Sequence, residues 1–280
     1  MGRNPWMSLI LLVVLGGPVG SGAVSAADVL DFAVITPGQP GSPREAQPVM
    51  DALAAYVQKN LGPEVMVKGR YFNKREAALE FLQRSPPRWG IVSLGIYAEH
   101  AGRFRMTPIA SSRPAGSEKD VWRLAVARNG PDDWKALRGT VQGTILFDKD
   151  AASCLLFGTR AGKLPFSLAG TFQPLRSLRS VVGGEAAGVV LDRLQYDALS
   201  ALSLGERIKV IRESRKLPTT PVVWFGPPEE RMNRLAALFA GMRKDPEAEG
   251  LLRLLQTDGF GPADPDLPGL RFSADAGCSP

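Results

Sequence analysis

Residues 143–157 read GTILFDKDAASCLLF: a short apolar run, a polar turn from Asp148 to Ser153, then a helix-like run. A strand that feeds directly into a helix is the repeating unit of an α/β sheet covered by helices. The start of such a helix presents free backbone N–H groups, a ready place to hold an anion. This turn, however, offers one hydroxyl, on Ser153, and two carboxylates of its own, Asp148 and Asp150.

The same alternation continues on both sides. Towards the N-terminus the sequence predicts strands over 29–36 and 64–72, and 88–97 reads as a short buried strand followed by a turn and a helix start. Helices are expected over 50–62 and 73–85. Asn73 and Glu76 have the spacing of a capping box. The segment 37–43, PGQPGSP, reads as loop. Further on, strands are expected over 120–128, 143–147, 186–191, 207–214 and 221–225. Helices are expected over 131–139, 151–162, 175–184, 192–202, 228–245 and 246–256, and the tail after them reads as irregular. The 228–245 helix places Met232, Leu235, Leu238, Phe239 and Met242 on one face.

About 250 residues is more than one ordinary α/β unit holds. Two units are expected, with joins near SSRPAGSEKD (111–120) and ESRKLPTTP (213–221). The first lobe would comprise 27–117 plus 215–270, the second 118–214, and 271–280 an irregular tail. Residues 1–26 carry a basic start, a short apolar run and a Val-Ser-Ala site, the three parts of a secretory signal peptide. The run falls short of the roughly 20 residues that span a bilayer. An exported, soluble chain is expected, with an uncleaved anchor as the alternative.

The formal net charge of +6 is scattered along the chain, not gathered in one tract, and no basic-aromatic motif occurs; nucleic acid is not an expected partner. The single histidine, His100, lies at an expected helix end, where a cation favours the helix dipole. One histidine cannot make a zinc-protease motif, and neither G-x-S-x-G nor a P-loop occurs. No cofactor, metal or catalytic residue is expected, so the chain is not read as an enzyme. Cys154 reads as a buried core residue, although in an oxidising compartment it could pair with Cys278.

Four stretches in order resemble the phosphonate-type periplasmic solute-binding proteins of ABC transporters, a branch of the type 2 periplasmic-binding fold. They are EAALEFLQRSPPRWGIVSLGIYAEH (76–100), WKALRGTVQGTILFDKDAAS (134–153), VVGGEAAGVVLDRLQYDAL (181–199) and IKVIRESRKLPTTPVVWFGP (208–227). The resemblance implies an α/β fold of two lobes, each a mostly parallel sheet flanked by helices, joined by two crossover segments and closing on a ligand. It further implies a periplasmic location, a small-molecule ligand, a membrane permease as partner and a monomeric chain. Cleft positions on this pattern are Thr36, Tyr71, Ser93, Tyr97, Asp148, Ala151, Ala152, Ser153, Asp192, Tyr196 and Ser214. In phosphonate binders of this family the second-lobe turn carries Ser and Thr hydroxyls; here it reads Asp150-Ala151-Ala152-Ser153-Cys154. Losing two or three hydroxyl contacts to a charged group, at about 1.5–3 kcal/mol each, would cost a phosphonate orders of magnitude in affinity. Three readings follow: a solute captured for an importer, a neutral or lipid-like ligand that is carried, and a ligand-free sensor or scaffold.

Overall fold

The computed structural model describes residues 28–202, 204–270, 272 and 278. The expected signal peptide and most of the expected tail lie outside the described residues.

The chain runs β1 (Asp28–Ile35), α1 (Pro43–Leu61), β2 (Val65–Phe72), α2 (Arg75–Arg84), β3 (Trp89–Val92), α3 (Leu94–His100), β4 (Met106–Ser112), β5 (Lys119–Asp120), β6 (Arg123–Ala127) and β7 (Thr140–Gly143). It continues α4 (Lys149–Phe157), β8 (Ser167–Gly170), α5 (Pro174–Val182), β9 (Gly188–Leu191), α6 (Arg193–Asp197), β10 (Ile208–Glu213), β11 (Leu217–Pro218), β12 (Pro221–Phe225), α7 (Glu230–Gly241), α8 (Glu249–Leu254) and β13 (Phe260–Pro262). One sheet has the order β13-β4-β12-β3-β1-β2, the other β10-β6-β9-β7-β8. β5 and β11, the two segments that pass between the sheets, pair antiparallel with each other.

The two-lobed α/β fold is as expected, but the sheets are mixed. β1 runs parallel to β2 and β3, while β12, returning from the second lobe, lies antiparallel between β3 and β4. In the second sheet β7 is parallel to β8 and β9, and β6 is antiparallel to β9 and β10. Trp89 anchors the first core: it is fully buried, stacked on Phe32 at 4.4 Å and edge-on to Phe239 at 5.4 Å. A second buried cluster crosses between the lobes, from Ile35 and Val92 through Ile96 and Tyr97 of α3 to Ala152 and Leu156 of α4 and Val141 of β7. Among the described residues no helix is long and apolar enough to cross a membrane.

Several local expectations are corrected. α1 starts at Pro43, seven residues before the expected start, because Ser42 and Glu45 form a capping box; the Ser42 N–H donates to Glu45 Oε2 at 2.7 Å. Pro48 sits inside this helix at its sixth position, where it forfeits one i→i−4 hydrogen bond, to the Arg44 carbonyl. Asn73 and Glu76 form no capping box, since Lys74 is the N-cap and makes no side-chain cap. Asn73 Nδ2 instead donates to the carbonyls of Gln39 and Gly41, which fixes the β1–α1 loop. The expected helix at 131–139 is only a 3₁₀ turn at Trp134–Ala136. Trp134 packs beside Phe157 at 5.2 Å, and Gly139, at φ 100°, ends the segment before a helix could propagate. The expected strand at 143–147 is displaced to 140–143, and Thr144–Phe147 is a 3₁₀ turn. A short apolar run does not separate strand from buried turn. β4, β8 and β13 were not expected.

The cysteines are joined: Cys154 and Cys278 form a disulfide, with Cα atoms 5.0 Å apart. It ties α4 of the second lobe to the segment that follows the first lobe's last strand. α4 ends at Gly158, whose left-handed backbone (φ 68°) suits glycine.

Candidate functional site

Strand C-termini place two features at the lobe boundary. The first is a cavity of about 370 Å³. One side is the end of β1 (Thr36), the first turns of α1 (Ser42, Glu45, Ala46, Val49, Met50) and Tyr71 of β2. The other side is the crossover residues Lys119, Asp120 and Thr220, the start of α6 (Asp192, Arg193, Leu194) and the segment Leu254–Thr257. Val34, Ile91 and Phe260 complete an apolar floor. Leu194 and Leu254 are among the exposed large apolar residues.

The charges on this wall are already partnered. Burial alone would lower the Lys119 ammonium, but its bonds to Asp264 (2.9 Å) and Asp266 (2.6 Å) outweigh that and hold its pKa above the ordinary value. Arg193 Nη2 donates to the Pro114 carbonyl at 2.5 Å and Nη1 to Asp197 at 3.3 Å. Its Nε is buried with no hydrogen-bond partner among the described residues. Asp120 accepts from the N–H of Val121 and of Arg193 and from Trp122 Nε1. Asp192 caps α6 by accepting from Gln195 N at 2.8 Å. Burial pushes its carboxyl up to about 6, with Asp120 adding to the rise and the Gln195 N–H opposing it.

The second feature is the meeting of α3 and α4. Ser93 caps α3 and donates its hydroxyl to Asp148 Oδ2 at 2.9 Å. The Ala151 N–H, in the first turn of α4, donates to Glu99 Oε1 at 2.8 Å. Arg75 lies between both carboxylates, with Nη2 at 2.5 Å from Glu99 Oε2 and Nε at 3.3 Å from Asp148 Oδ1. It also donates to His100 Nε2 at 3.1 Å. The Glu99 and Asp148 side chains are 9% and 5% exposed. Two carboxylates share one guanidinium, so burial, then Glu99, push the Asp148 carboxyl up to about 7 against Ser93 and Arg75. His100 is not the helix-end cation expected from its position: burial, then Arg75 and Arg103, hold its pKa down to about 4.

Gly95 of α3 lies against Asp148 so closely that a methyl group there would overlap the Asp148 side chain. Gly95→Ala is therefore expected to cost about 2–3 kcal/mol in urea unfolding. Gly102→Ala, where nothing lies near the added methyl, should cost far less.

Of the residues expected at a cleft, Thr36, Tyr71 and Asp192 line the cavity. Ser93, Asp148 and Ala151 meet in the α3–α4 cluster instead, because Arg75 and Glu99 draw the turn's polar groups onto the first lobe. Ala152 and Ser153 are buried inside α4, where the Ser153 hydroxyl donates to the Asp150 carbonyl. Tyr97 is a fully buried core residue. Tyr196 lies away from the cavity, under the Arg123 guanidinium at 4.4 Å. Ser214 braces the start of β6, accepting from Trp122 N and donating to the Arg215 carbonyl. Sequence reasoning missed the first turn of α1, Lys119, Asp120 and Arg193. The Ser42-x-x-Glu45 spacing was an available signal for the first of these.

Solved structures of similar fold include a Xanthomonas citri protein bound to chloride (16% identity over 86% of this chain and 95% of that one, TM-score 0.69). A binding protein component of an ABC phosphonate transporter from Pseudomonas aeruginosa matches at 14% identity over 86% and 83% of the two chains, TM-score 0.60. PhnD1 from Prochlorococcus marinus, in complex with methylphosphonate, matches at 13% over 86% and 95%, TM-score 0.59. At these identities the likeness establishes the fold. No curated protein matches the sequence. Residues 36–267 match the family described as the periplasmic substrate-binding protein of phosphonate ABC transporters. With two lobes, paired crossovers and a cavity between them, the chain belongs to that family of solute-binding proteins, whose members take a small-molecule ligand and a membrane permease as partners.

Proposed function

We propose that this protein captures a compact, partly apolar molecule without a dianionic head group in the cavity beside α1 and hands it to an ABC permease. The observation that carries this reading is the state of the cavity's cations. Lys119 is bound by two carboxylates and Arg193 by Asp197 and a carbonyl, while Glu45, Asp120 and Asp192 line the same space. A buried dianion would meet more negative than free positive charge, and the desolvation penalty for an underpaired ion is several kcal/mol. An apolar body fits Val49, Met50, Ile91 and Phe260, and Arg193 Nε leaves one donor for a neutral acceptor.

In this reading residues 1–26 are a leader removed on export. The mature chain acts in the periplasm as a monomer and carries out no chemistry. The strand order supports a first lobe of 27–117 with 215–270 and a second of 118–214.

The test is a thermal-shift panel of amino acids, amines, short acyl compounds, inorganic phosphate and alkylphosphonates. A ligand at about 100 times its Kd stabilises by roughly 2.7 kcal/mol. A neutral or cationic compound should do so, and Ala46→Arg, which projects a long side chain into the cavity, should abolish the shift. Stabilisation by phosphate or an alkylphosphonate would overturn the proposal, as would a neutral or cationic compound whose stabilisation survives Ala46→Arg.

A further inference from the structure

The α3–α4 cluster holds three kinds of donor in one place: the Arg75 guanidinium, the Ser93 hydroxyl and the Ala151 N–H at the start of nine-residue α4. A tetrahedral oxyanion is recognised by such a set. Here each donor is already taken by a carboxylate of the chain itself, Glu99 or Asp148. We propose that Glu99 and Asp148 are specificity determinants: they occupy the place of an oxyanion at the lobe boundary and refuse phosphate and phosphonates there. This assignment does not depend on what the cavity beside α1 holds.

Three observations support it. Glu99 reaches across from α3 in the first lobe to receive the Ala151 N–H in the second, so the carboxylate sits where a bound anion would sit. Both side chains are nine-tenths or more buried, so the cluster is a fixed interior arrangement. With Asp148 ionised the cluster is one negative in excess of Arg75, and a third anion would be repelled in a dry surrounding.

The proposal predicts a gain of binding. In Glu99→Ala/Asp148→Ser the guanidinium, Ser93 and the Ala151 N–H are released together. Calorimetric titration with inorganic phosphate and methylphosphonate should show affinity at least about tenfold above the wild type. Adding Arg75→Met to the double variant should remove the gain. A wild type that binds either anion as tightly as the double variant would overturn the proposal, as would a folded double variant with no gain. Should the double variant not fold, Glu99→Ala alone decides: formate should raise its melting temperature well beyond any effect on the wild type. Equal formate responses would overturn the assignment.

Discussion

Arg75→Ala is expected to destabilise the protein by about 3–5 kcal/mol near neutral pH, because it leaves two buried carboxylates without their counter-charge. For a chain of this size that corresponds to a fall in melting temperature of roughly 6–20 °C. The loss should depend on pH with a definite sign. The folded Asp148 carboxyl titrates near 7, above its unfolded value, so the penalty for its charge is felt above about pH 7 and disappears as pH falls towards about 4. His100 acts in the opposite sense: its folded pKa of about 4 lies below the unfolded value, so its contribution is complete above about pH 6.5 and is lost on acidification through about pH 4. In the wild type the two slopes oppose each other across that window. Removing Arg75 raises the cost of an ionised Asp148 and eases protonation of His100. The variant's deficit should therefore be larger at about pH 8 than at about pH 5.5. Urea melts of both proteins at the two pH values measure it, and a pH-independent deficit would contradict the arrangement described.

Cys278→Ser should cost as much. The disulfide closes a loop across a sequence separation of 124, and the chain-entropy description assigns such a loop about 5 kcal/mol of constraint on the unfolded chain. On that description the effect comes from the unfolded state. A loss of about 3–5 kcal/mol is expected, and the wild type in excess reductant should melt with the variant. If variant and oxidised wild type melt together, the link makes no contribution to stability.

The alternation of strands and helices was legible because the helices keep a period-3.6 apolar pattern and the central strands read as short, wholly apolar runs. The start of α1 was hidden by Pro48, which argues against a helix unless the capping box upstream is weighed more heavily. The strands β4, β8 and β13 are short or broken by Pro and Gly and carry little pattern of their own. Thr36, Tyr71 and Asp192 could be placed at the cavity because strand C-termini gather at one edge of an α/β sheet. The carboxylate cluster could not. Arg75, Ser93, Glu99 and Asp148 come from α2, the α3 cap, α3 and the α4 cap, and only the closed contact of the lobes brings them together. A reader of the turn at 148–153 sees absent hydroxyls but not the Glu99 side chain that replaces a guest.

The position of β12 between β3 and β4 has a consequence for biosynthesis. A nascent chain that has reached only residue 213 possesses every strand of the second sheet, yet the first sheet lacks its middle member. β3 then has one open border, and β4, whose other neighbour β13 comes later still, has no partner at all. The later half of the fold can mature before the earlier half, and the ribosome must deliver β12 before the first-made residues are safe from misassociation.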